Sequence, residues 1–188
     1  GRNVDTARIM DNKGPRLGCT MKLGDGVEQA IHSVAMLAGL SADGVLSAAA
    51  LAEFHGVSAS YLLKHLQALS GAGILDTLPG PKGGYRLARP PERITLLDIV
   101  LAVEGPGPAF RCNEIRRRGP NPLPSRLLTK PCGINVAMLR AEKAYRAELQ
   151  SVSIADILAD VGQMDDGTIA ARSCAFLEAH ERISGKKA

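Results

Sequence analysis

The chain has 188 residues, enough for one domain or for a small domain plus an appendage, and its 45% hydrophobic and 22% charged residues are ordinary for a soluble globular protein. Aromatics make up 3% and there is no Trp, so the core is expected from Leu, Ile, Val and Ala packed as helices. The net charge is +4, yet residues 21–92 carry five basic against six acidic side chains and the positive excess lies between Arg111 and Arg146, so overall charge is a weak argument for nucleic acid. No apolar run approaches the roughly 20 residues that span a bilayer, and the N-terminus lacks the apolar segment of a signal peptide. A cytoplasmic protein with no membrane partner is expected.

Residues 1–20 show no sustained apolar period and are read as a leader or tag-like disordered segment, with Met21 as the natural start. A first helix is expected from about Asp25 to Leu40, because Val27, Ile31, Val34, Leu37 and Ala38 recur at helical spacing. Ser47 can cap a second helix, AAALAEFH, ended by Gly56. Ser58 can cap a third, ASYLLKHLQALSGAG, with Leu62, Leu66 and Leu69 on one face. ILDTL, PGPKGG and YRLA then read as two short strands joined by a Gly/Pro turn. Thr95 caps TLLDIVLAVEG, with Asp98 at the capping-box position. Residues 105–131 are rich in Pro, Gly and Arg; a loop this long inside a compact domain is usually functional or disordered. A long helix is expected from about Gly133 to Leu149, with Ile134, Met138, Tyr145 and Leu149 on one stripe. Ser153 caps IADILADV, and residues 162–188 read as a polar turn and a helix around 169–183. The fold class is therefore mostly α with a small β-hairpin.

Two short helices, a tight turn (HGVS, residues 55–58) and a hairpin follow the order of a winged helix-turn-helix. The third helix is the candidate for a major groove about 12 Å wide. Its first turns are expected to expose Ser58, Ser60, Tyr61, Lys64 and His65 opposite the leucine face, and such groups suit phosphate and base-edge contacts. The hairpin tip carries Lys82 beside Gly83 and Gly84, where backbone can approach a duplex closely, with Arg86 behind. Each feature alone also describes a solvated face; their order makes the argument. Gly-rich nucleotide loops, nucleophile motifs and recognisable acid pairs are missing from the sequence, so an enzyme is not expected.

Four cysteines, Cys19, Cys112, Cys132 and Cys174, do not form a disulfide scaffold in a chain this long. Cys19 and Cys174 are read as structural or incidental. Cys112 and Cys132 flank the Pro/Arg-rich loop, and two thiolates do not complete a four-ligand site. Glu28 and His32 sit four apart on the first helix and share one face, a spacing that serves either a metal or a plain helix-surface pair. Arg111, Arg116, Arg117 and Arg118 either favour thiolate nearby or belong to a solvated loop.

The stretches GVSASYLLKHLQALSGAGIL, GPKGGYRLARP and ITLLDIVLAVEG resemble the Rrf2 family of bacterial transcription regulators, over roughly residues 21–161. The resemblance implies a homodimer held by the long helix near 133–150 and a palindromic operator DNA. It divides the chain into a winged-helix domain at 21–104, a sensor loop at 105–131, dimerisation and return helices at 132–161 and a tail at 162–188. EQAIH, FRCNEIRRRGP and KPCGI further resemble redox-sensing members of that family. The likeness implies a [2Fe–2S] cluster shared between subunits, with Glu28 and His32 from one and Cys112 and Cys132 from the other. Sharing would couple the cluster's state to dimer geometry and so to the spacing of the recognition helices. Three departures stand out. Many relatives carry an Arg where Pro79 stands, which leaves Lys82 or Arg86 as substitutes. Cluster-bearing members usually have three closely spaced cysteines after the AVEG helix, where this chain has two. The redox-sensing members have an aromatic after the Glu, where this chain has Gln29. Zinc on the same four donors, a Cys112–Cys132 thiol switch and a cluster-free regulator remain alternatives.

Overall fold

The computed structural model describes residues 23–183. The sequence readings on Met21, Cys19 and the leader lie outside them. In chain order the elements are α1 (Asp25–Leu37), β1 (Gly44–Val45), α2 (Ala48–His55), α3 (Ala59–Gly71), β2 (Leu75–Leu78), β3 (Gly84–Leu87), α4 (Leu96–Glu104), α5 (Gly133–Ser151), α6 (Ile154–Met164), α7 (Thr168–His180) and β4 (Arg182–Ile183).

Local chemistry sets most of these boundaries. Ser47 accepts a hydrogen bond from the Ala50 amide and starts α2, a cap whose removal costs about 1 kcal/mol. Thr95 and Asp98 close the anticipated capping box at α4, and Ser153 with Asp156 forms a second at α6. Ser58 occupies the N-cap position of α3, but its hydroxyl meets that of Ser60 at 3.0 Å and caps no amide. α1 ends at Leu37, three residues short of expectation, where Gly39 turns the chain by bonding back to the Met36 carbonyl at 3.1 Å.

The strands β2 and β3 pair antiparallel, from Leu75 opposite Leu87 to Leu78 opposite Gly84. β1 joins them through reciprocal bonds between Leu46 and Tyr85, at 3.1 and 2.8 Å. β4 in turn pairs with β1. The hairpin was foreseen, but neither two-residue strand was, because two residues carry no periodicity.

One core gathers Val34 and Leu37 of α1, Leu46, Leu51, the α3 leucines Leu62, Leu66 and Leu69, Ile74, Ile94 and Ile99. Ile154 of α6 and Leu177 of α7 reach the same core, at 0% and 8% exposure. The bonds Ile154 N–H to Ile94 O (2.8 Å) and Leu96 N–H to Val152 O (3.0 Å) dock the start of α6. The C-terminal helix thus packs on the winged helix, where a tail had been expected. α5 differs: none of its residues is buried. Tyr145 and Leu149 are half-buried, whereas Ile134 is 67% exposed and Met138 40%.

Candidate nucleic-acid interface and sensor residues

The leucine stripe of α3 faces the core and turns the opposite face outward. Ser58, Ser60, Tyr61 and Lys64 are exposed there, as expected. His65 is the exception: it is only 7% exposed. Its ring packs edge-on to Tyr61, with centroids 4.7 Å apart, and covers Gly26 of α1 so closely that a Cβ there would overlap it. The reading of His65 as a solvent-facing contact is therefore corrected. Burial lowers the His65 pKa, Lys64 lowers it further, and Glu104 opposes both; Nε2 has no partner among the described residues. Gln67, not singled out from the sequence, is exposed one turn beyond Lys64. An amide at that spacing can pair with adenine, and the leucine periodicity could have found it.

On the hairpin, Lys82 is exposed at the turn. Arg86 is half-buried and pairs across the strands with Asp76 at 3.5 Å, so its charge is partly engaged. Gly83 and Gly84 are required by the hairpin itself: a Cβ on Gly83 would strike the Leu78 carbonyl, and one on Gly84 the Leu46 carbonyl.

Glu28 and His32 project from one face of α1 and are both exposed. With Leu23, Gly24, Asp25, Val27 and Ile31 they line a shallow concavity of about 330 Å³. Beneath this face the His32 ring lies 5.7 Å from that of His55, the last residue of α2. Burial lowers the His55 pKa, and the charges of His32 and Arg172 lower it further.

Cys112 and Cys132 lie at opposite ends of the irregular segment and are half-buried free thiols. Both act electrostatically on the guanidinium of Arg116. Arg116 holds that end together: Nη2 donates to Glu114 Oε2 at 2.8 Å and to the Lys130 carbonyl at 3.3 Å. The other end is fastened by Arg146 of α5, which donates to the carbonyls of Pro106 and Gly107 at 3.1 and 3.0 Å. Two 3-10 turns, Ile115–Arg117 and Ser125–Leu127, are the segment's only regular structure. Cys132 is the N-cap of α5; the amides of Asn135 and Ile134 lower its thiol pKa, Arg116 adds to this, and burial and Glu114 oppose it. A thiol at a helix N-terminus beside a cation is disposed to ionise and bind metal.

Glu28 and His32 thus share one concavity, while both thiols lie within electrostatic reach of Arg116. Among the described residues, no three His, Cys, Asp or Glu side chains come together to hold a metal.

Helix-turn-helix and hairpin define the class: a winged-helix protein. The profile of the Rrf2 family, described as iron-dependent transcriptional regulators, matches residues 23–160, and the chain belongs to that family. YffB of Lactococcus lactis is 32% identical over 137 residues, covering 73% of this chain and 86% of that protein. YwgB of Bacillus subtilis is 40% identical over 91 residues, 48% of this chain; the chain spans 58% of YwgB's length. Both carry the description of HTH-type transcriptional regulators. In structure the chain is similar to CymR, the global cysteine regulator of B. subtilis, with a TM-score of 0.58 and 22% identity over 74% of this chain and 98% of that one. It is also similar to IscR of T. potens, with a TM-score of 0.57 and 24% identity over 80% and 96% of the two chains. These likenesses show the mostly helical winged-helix fold. The family and these relatives are regulators, not enzymes. No helix among the described residues is long and apolar enough to cross a membrane.

Proposed function

We propose that this protein is a homodimeric, sequence-specific DNA-binding regulator that senses redox state through a [2Fe–2S] cluster bound between subunits. Glu28 and His32 of one copy and Cys112 and Cys132 of the other are its ligands. The observation that carries this reading is the division of the donors into two incomplete pairs, one on an open face of α1 and one around Arg116. A second copy is what would complete each pair. The donor set fits the group: two thiols, one of them disposed to ionise, an imidazole and a carboxylate. When bound, the cluster supplies a one-electron change of charge.

This chain's own residues supply the rest. α5 offers Ile134, Val136, Met138 and Leu139, exposed by 40% or more, as the apolar face for a second copy. The helix bearing Glu28 and His32 touches the DNA-reading unit at His32–His55 and at Gly26–His65, among other contacts. A displacement of α1 therefore reaches both the turn and the recognition helix without an aromatic at Gln29. In the complex, Ser58, Ser60, Tyr61, Lys64 and Gln67 face the major groove, with Lys82 on the wing. Two-fold symmetry spaces the half-sites of a palindrome by about 34 Å or a multiple.

Two experiments test this. Anaerobically purified protein should show visible bands that bleach with dithionite and about two irons per cluster. Colourless protein holding zinc, or no metal at all, would overturn the cluster and point to zinc or to a thiol switch. Binding to a duplex selected from random sequence should change with redox state in the native protein and not in Cys112→Ala. Full-strength, redox-independent binding by both would remove the sensing role and leave DNA binding standing.

A further inference from the structure

α7 and β4 lie beyond the segment matched by the family and fold back along the winged helix. Leu177 enters the core, and Phe176 packs edge-on to Phe54 of α2 at 4.9 Å. Arg172 lies over the Phe54 ring at 4.3 Å and donates to the Phe54 carbonyl at 3.3 Å. Past α7, the Glu181 carboxylate accepts from the Ser41 amide at 2.8 Å and the Ser41 hydroxyl at 2.6 Å. It occupies the space where a side chain on Gly44 would stand, so residue 44 must be glycine for this seat to exist. β4 then adds to β1, with Val45 opposite Arg182 and Gly44 opposite Ile183. This path carries Arg182 to the hairpin turn, where its Nη1 donates to the Pro81 carbonyl at 3.0 Å, one residue from Lys82.

We propose that Arg182 is a DNA-contacting residue of the wing, delivered by the C-terminal strap to the phosphates beside Lys82. The turn itself has a single cation, Lys82, and Arg86 on β3 behind it is drawn to Asp76. Arg182 is exposed, and among the described residues its side chain bonds only to a neutral carbonyl, so no carboxylate there cancels its charge. A guanidinium has five N–H donors in a planar fork, which leaves a bidentate edge for a phosphate. The bond to Pro81 fixes that fork relative to the turn before DNA arrives, which lowers the ordering cost of the contact.

The inference rests on reading the hairpin as a DNA-contacting wing, and the test separates the two. A duplex selected from random sequence by the full-length wild-type protein is bound at a series of salt concentrations. Each phosphate neutralised contributes about 0.9 to the log–log salt slope. Arg182→Gln should weaken binding and flatten the slope by about two per dimer, while Arg182→Lys should keep the wild-type slope. The bond to Pro81 is exposed, so Arg182→Gln should unfold within a few degrees of the wild type. An unchanged slope in Arg182→Gln overturns the proposal; a weaker affinity with that unchanged slope makes Arg182 a brace for the turn only. If the wild-type protein selects no duplex, the DNA-binding reading itself falls, and this inference with it.

Discussion

His65 is the residue whose placement departs most from the sequence reading. It stands at i+3 from Leu62 and beside Leu66, within the spacing 62, 65, 66, 69 that defines the buried stripe. Its polar label assigned it to the DNA face, while its position assigned it to the core. It needs Gly26, where a methyl group would overlap the ring. Gly26→Ala should therefore lower stability by about 1–3 kcal/mol through overpacking. Adding His65→Ala should recover part of the loss, giving a non-zero coupling in a double-mutant cycle read by urea unfolding. Burial also sets a pH dependence. The His65 pKa is lowered in the folded state by burial first and by Lys64 on its own helix second, with Glu104 from α4 opposing both. The neutral ring is thus favoured by folding, and the stability it contributes is present above its unfolded value, near 6.5, and lost as pH falls through the folded one. Stability measured between pH 8 and pH 5 should fall less steeply in His65→Gln than in the wild type.

At the scale of elements, the sequence was most legible where a side chain closes a backbone bond. Ser47 and Thr95 with Asp98 marked α2 and α4 to the residue, because a cap states its own position. Elements made by distant pairing were not legible. β1 and β4 are two residues each and meet across more than 130 positions, and Arg182 reaches Pro81 only through that pairing. α7 was visible as a helix, yet its docking was not, since Phe176 and Leu177 meet α2 and the core only after folding. Leu177→Ala should cost about 2–3 kcal/mol in urea unfolding, because it empties a nearly closed site. α5 makes the opposite case. In the proposed dimer its exposed half is the contact face, so Met138→Asp should run as a folded monomer in analytical ultracentrifugation, with unchanged helical circular dichroism.

At the scale of the molecule, the DNA-reading unit and the two sets of candidate donors occupy different parts of the chain. The recognition helix and wing share the core with α1. The thiols sit on a segment pinned to α5 by Arg146 and closed by Arg116. The two donor pairs do not meet. The sequence offered the four donors and the resemblance offered their grouping. Composition and spacing alone could not, because donors this far apart in the sequence leave no local pattern.

Co-expression of two variants under anaerobic conditions tests that split directly. One, Glu28→Ala with His32→Ala, keeps only the thiols; the other, Cys112→Ala with Cys132→Ala, keeps only the carboxylate and imidazole. Each alone should purify without iron or sulfide. The isolated mixed dimer should regain one of its two clusters, because one of its sites draws all four donors from intact pairs. A mixed dimer as empty of iron as its parents would contradict a cluster shared between subunits.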